Sequence, residues 1–348
     1  AQPQRRLPAA HRLHNLDCAG MSVYQIDDRV IAFTPTGPMT WTTTPGGGGG
    51  GTPVGGKTMD VYGNIHSLFN HAYPPSAQHS GTRVGNWVKW FSLQAPNGGN
   101  NYTWGGMFLD VRQPNSLPPA ATATHEAVST PYVETFPSGW ATSLQQVDLV
   151  EFVPNNYEIL DYDPDATTNL GVSIQQTYLN HIDAWQTNAP NPNRRFVIYT
   201  NWPETRHSGN ATEDLSQLTA PQLAQWHVYA FGAFQTWMEL LVSRLQAARP
   251  TLNIGIHNIN LGLMSTLRDT VIGTIPMTTL FEDRAPHGRS TVYCIAAIAE
   301  YIELFNEKPP ANFVFPAAMQ ADPNLRVHQT LVDNFGATCD HIWGVLRP

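Results

Sequence analysis

A chain of 348 residues with 41% hydrophobic and 10% aromatic side chains can close a sizeable core, which excludes a disordered tail and a disulfide-stapled miniprotein. Only 13% of residues are charged, and 27 acidic against 19 basic groups leave a net charge of -8 with no basic run, so nucleic acid is excluded as a partner. No apolar stretch nears the roughly 20 residues that cross a bilayer, since the best runs, 147–153 and 292–299, are short or broken by charge.

Residues 1–57 read as an N-terminal β-type extension. Short apolar runs at 21–26 and 30–33 lead through a Thr-rich stretch to six consecutive glycines, 46–51, which have no side chains to pack. A polar, proline-containing start and a low lysine content suit a secreted or periplasmic chain whose signal peptide has been removed. The cysteines, Cys18, Cys294 and Cys339, form no Cys-x-x-Cys pair, so at most one disulfide is encoded and no zinc knuckle.

From residue 58 to 348 the pattern is that of one α/β domain. Strand-length apolar runs at 59–65, 147–153, 196–200 and 253–259 alternate with stretches of helical period at 82–94, 168–187, 219–247 and 290–306. Continuous apolar strands fit a mainly parallel sheet covered on both faces, so the expected architecture is a three-layer α/β/α sandwich. In such a sheet ligands sit beyond the carboxyl ends of the strands.

The residues that follow each strand run are therefore the candidates. Ser67 follows the first, in Gly-Asn-Ile-His-Ser-Leu-Phe-Asn-His; Asn155 and Asn156 follow the second; Asn201-Trp202-Pro203-Glu204 follow the third. Asp283 and His287 stand just before a late helix in Glu-Asp-Arg-Ala-Pro-His-Gly. A hydroxyl, a base, a carboxylate to orient it and amide donors are the parts that ester hydrolysis needs.

In this order the blocks resemble the SGNH/GDSL hydrolase superfamily, over roughly residues 58–306. The resemblance implies a flavodoxin-like fold and a serine esterase. Ser67 would be the nucleophile, His287 the base and Asp283 its orienting acid; the Ser67 amide, Gly105 or Gly106, and Asn156 would form the oxyanion hole. Two departures are plain: His66 precedes the serine where Asp or Asn is usual, and three residues rather than two separate Asp283 from His287. Trp104, Asn155 and Trp202 are the expected substrate contacts, and an acetyl ester on a carbohydrate, small or polymeric, is the expected substrate. Neither a cofactor nor a metal is expected. A carbohydrate-binding protein without activity and a lipase-like esterase are the other readings.

Two further motifs fit less well. The string from Gly51 to Thr58 matches Gly-x-x-x-x-Gly-Lys-Thr, but it leads into a strand run, whereas a phosphate-cradling loop must open a helix. His66, His71 and His79 have no metal-ligand spacing and read as scattered loop histidines.

Overall fold

The computed structural model describes residues 16–18, 21–26, 29–33, 56–66, 68–69, 83–96, 99–108, 125–127, 144–154, 163–167, 171–208, 214–323 and 325–348. They belong to two compact units, one of residues 1–40 with 120–124 and one of 41–119 with 125–348. In the first, β1 (Leu16–Cys18), β2 (Met21–Ile26) and β3 (Arg29–Phe33) form an antiparallel sheet in the order β1-β2-β3.

The second unit is built on β4 (Thr58–Ile65), β5 (Asn101–Phe108), β6 (His125–Ala127), β7 (Leu149–Phe152), β8 (Arg195–Tyr199) and β9 (Asn253–His257). The sheet order is β6-β5-β4-β7-β8-β9. Five strands, β5, β4, β7, β8 and β9, are mutually parallel, and β6 runs antiparallel along the β5 edge. The order of the parallel strands reverses between β4 and β7, so their carboxyl ends form the topological switch point, the place where open α/β sheets generally bind ligands. The four strand runs read from the sequence are β4, β7, β8 and β9. The last stops at His257, because Asn258 leaves the extended region and Ile259 begins a helix.

The helices include α1 (Val84–Gln94), α2 (Ile174–Asn188), α3 (Ala220–Tyr229), α4 (Gln235–Ala248), α5 (Ile259–Asp269), α6 (Met277–Leu280), α7 (Ser290–Phe305) and α8 (Phe335–Leu346), with two further short helices, Ala317–Ala321 and Gln329–Asp333, between α7 and α8. The expected helix 219–247 is two helices, α3 and α4, joined by a π-helical segment in which Gly232 leaves helical geometry (φ -96°, ψ -106°). Gly tolerates that bend because it has no Cβ.

Strand alternation shows the two covered faces directly. Phe152 turns its ring to Tyr178 and His181 of α2, while its neighbour Glu151 meets Glu300 of α7 on the opposite side. Tyr62 likewise meets Trp185 of α2. At Gly63 a Cβ would stand 2.7 Å from Cζ2 of Trp104, so the missing side chain is what lets the indole lie across β4. Helix α7 is buried along almost its whole length and packs against α1, α5 and α8. It ends at Asn306, a left-handed residue (φ 50°) that Asn adopts more easily than most side chains.

Lys57, in the string that resembles a phosphate-binding loop, pairs with Glu307 at 3.3 Å, and Thr58 starts β4. No helix follows it, so the amide cradle of a P-loop has nothing to open onto. Cys294 and Cys339 are buried free thiols. No helix among the described residues is long and apolar enough to cross a membrane.

Candidate active site

The site is built at the switch point. Directly after β4 the chain turns sharply: the Phe69 amide donates to the His66 carbonyl at 3.0 Å, and the Leu68 amide donates to His66 Nδ1 at 3.2 Å. An Nδ1 that accepts leaves the proton on Nε2, which donates to the Pro154 carbonyl beyond β7 at 2.9 Å. Asn201, beyond β8, donates to that same carbonyl from Nδ2 at 3.1 Å. One carbonyl thus clamps the carboxyl ends of three parallel strands. Phe69 closes the turn from below by stacking on Trp104 (centroids 5.3 Å) and meeting Tyr199 edge-on (5.2 Å).

Ser67, Asn155 and Asn156 lie outside the described residues; His66, Leu68, Phe69 and Pro154 are their described neighbours. In sequence His66 reads as a loop histidine that happens to precede the serine. Its buried ring braces the turn, and both ring nitrogens have partners within the protein.

The second half of the site is the loop between α6 and α7. Phe281 and Gly288 pair across its neck, with the Glu282 amide donating to the His287 carbonyl at 2.9 Å. Within it His287 Nδ1 donates to Asp283 Oδ2 at 2.6 Å, while the amides of Ala285 and His287 donate to Asp283 Oδ1 at 2.9 and 3.0 Å. The three-residue gap between acid and histidine is therefore no obstacle, because a tight turn folds both onto one edge. Burial pushes the Asp283 carboxyl up, but the hydrogen bond and charge of His287 with the two amides outweigh it and hold the group at about 2. Asp283 is ionised at any ordinary pH and favours the tautomer with the proton on Nδ1, which leaves Nε2 as the nitrogen able to accept a proton.

The segment beyond β8 docks this loop. Trp202 Nε1 donates to the Pro286 carbonyl at 2.9 Å, and the Thr205 amide and hydroxyl both donate to the Arg284 carbonyl, at 3.0 and 3.2 Å. Asn201 and Trp202 are adjacent, so a short run of contacts leads from His66 through Pro154 and Asn201 to Pro286 and His287. Glu204, to which the sequence reading assigned no role, feels the same centre. Burial raises its pKa and Asp283 adds to the rise, against the pull of Arg206, Arg284 and His287. Its partner Arg206 stands 2.7 Å away.

Two expected substrate contacts are buried. Trp202 is 0% exposed and offers no open face to a sugar ring; its indole braces the loop that carries Asp283 and His287. Trp104 is 3% exposed and is packed against Phe69 and over Gly63 in the sheet interior. An aromatic residue after a strand looks the same in sequence whether it faces solvent or folds back under a loop. Gly105 and Gly106 lie inside β5, opposite Tyr62 and Gly63, and are not brought to the strand-end loops with the other candidates.

Trp202→Phe keeps the bulk but leaves the buried Pro286 carbonyl without its donor, at a cost of about 1–3 kcal/mol. Urea unfolding should show that loss, whereas substitution of an open, ring-binding tryptophan would leave the midpoint unchanged.

No family model and no curated protein matches the sequence. Among solved structures, the chain is similar to a DUF4886 family protein from Bacteroides uniformis ATCC 8492, with 11% identity, 83% of this chain and 95% of that chain covered, and a TM-score of 0.43.

Proposed function

We propose that the protein is an SGNH-type serine hydrolase that cleaves carboxylic esters. The observation that carries the reading is the 2.6 Å Asp283–His287 pair, in a loop braced by Trp202 and linked through Asn201 and Pro154 to His66, the residue before Ser67 in the chain. The Ser67 hydroxyl attacks the acyl carbon as His287 Nε2 takes its proton, and Asp283 stabilises the imidazolium. His287 then returns that proton to the leaving alcohol. Water, deprotonated by the same nitrogen, releases the acid from the acyl-enzyme. The Ser67 amide and Asn156 are proposed donors to the oxyanion, each contributing about 100 to 1,000-fold in rate.

A secreted or periplasmic location and an acetylated carbohydrate as substrate remain part of the proposal, the latter without the tryptophan argument, since both indoles are buried. A panel of acetylated sugars beside longer-chain aryl esters therefore decides the alcohol and acyl groups by kcat/KM.

The test is labelling with a fluorophosphonate probe followed by peptide mapping. Modification at Ser67, with turnover of p-nitrophenyl acetate, is the expected result. Labelling at another serine refutes the nucleophile assignment, and no labelling with no turnover favours a carbohydrate-binding protein on this scaffold.

A further inference from the structure

Away from the loop just described, three ionisable side chains from distant parts of the chain meet inside the protein: Glu151 in β7, His257 at the end of β9 and Glu300 in α7. The glutamates are 0% exposed and the histidine 1%. His257 Nδ1 stands 3.1 Å from each carboxylate oxygen of Glu300 and 3.7 Å from Glu151 Oε1. One ligand atom from each residue lies within 4.8 Å of the other two.

Two buried carboxylates each cost several kcal/mol unless something positive answers them. Among the described residues neither glutamate is paired with a lysine or arginine; Arg195 acts on Glu300 as a more distant charge. By strict hydrogen-bond geometry neither oxygen of Glu151 has a partner among the described residues, although the group is fully buried; its polar neighbours are Glu300, His257 and the Trp104 indole N–H, which is itself buried without a partner. The hydroxyls of Tyr102 and Tyr199 are also buried without a hydrogen-bond partner, and both feel the two glutamates. So many orphaned groups in one place call for an additional bound species.

The chemistry and the spacing agree on its kind. A histidine nitrogen and two carboxylates face one another within ligand distance in a water-excluded interior. Four-coordinate ions with bonds of about 2.1 Å hold their ligand atoms about 3.4 Å apart, and the measured 3.1 and 3.7 Å fall on either side of that value. One nitrogen with carboxylate oxygens is a donor set for zinc and its neighbours, not for calcium or magnesium.

We propose that Glu151, His257 and Glu300 bind a zinc-class divalent cation that ties β7, β9 and α7 together as a structural ion. The site is sealed, so the ion enters during folding and takes no part in ester cleavage. It is independent of the esterase reading.

The test is elemental analysis of untagged protein dialysed against metal-free buffer, with Ser67→Ala and Glu151→Gln beside wild type. The expected result is about one ion per chain in wild type and in Ser67→Ala, and about a tenth of that in Glu151→Gln. Refolding of wild type from chelator and denaturant with Zn2+ or Co2+ should raise Tm by about 5 °C over refolding without metal. The Co2+ form should show visible absorption of a low-symmetry four- or five-coordinate site. If wild type carries no ion and neither metal shifts its Tm, protons close the trio and the proposal is overturned, whatever Glu151→Gln does to folding.

Discussion

In His287→Ala, kcat for p-nitrophenyl acetate falls by about 10^6-fold with the fold intact, and in Asp283→Asn by about 10^4-fold. The histidine is 15% exposed and helps shape the loop mainly through its own backbone, so alanine removes the base without removing the turn. The asparagine variant tests something finer. It keeps the size of Asp283 and one acceptor oxygen for the amides, but it cannot stabilise an imidazolium, and its amide can turn the ring to the wrong tautomer. Because Asp283 is held at about 2, its protonation does not set the acidic limb of the wild-type kcat/KM profile. A limb that vanished only in Asp283→Asn would contradict that. The measurements are steady-state kinetics from pH 4 to 9 with circular dichroism as the fold control. Equal residual activity in wild type and His287→Ala would sink the triad.

Phe91→Ala is expected to lower stability by about 3–5 kcal/mol, the usual cost of deleting a large ring from a packed core. Phe91 lies on the inner side of α1 and is 0% exposed. Its ring meets Phe313 edge-on at 4.8 Å, Tyr301 of α7 at 6.0 Å and Phe335 of α8 at 5.7 Å. The cavity is walled by rings from three separate segments that cannot all move in, so the value belongs in the upper part of the range. Urea denaturation with an unchanged m-value would check it. A loss below 1 kcal/mol would mean that these rings do not form one core. Leu93, on the same helix but 53% exposed, is the control, and Leu93→Ala should change stability by less than about 0.5 kcal/mol.

The parallel sheet was legible in the sequence because its strands are buried on both faces, so 59–65, 147–153 and 196–200 appear as apolar runs without alternation. β5 was not legible. Asn-Tyr-Thr-Trp-Gly-Gly-Met-Phe alternates polar and apolar residues and contains two glycines, and its place in the sheet comes from pairing with β4, a non-local contact. Helix α5 was missed for a related reason: it follows β9 after one residue, and the apolar run continues from one into the other.

The Asp283–His287 pair was readable because the two residues are close in the chain, and local geometry alone can join them. Local sequence by itself thus determined the α/β class, the strand-then-loop positions where polar groups collect, and the pairing of that aspartate with that histidine. Only the tertiary structure decided what each aromatic and each buried charge does. Trp202 became a brace because Pro286, 84 residues away, meets its indole. Glu151, His257 and Glu300 became one cluster because two strands and a helix bring them into the same few ångströms. Such meetings depend on strand order and on which face each residue takes, and neither is written in the spacing of the residues concerned.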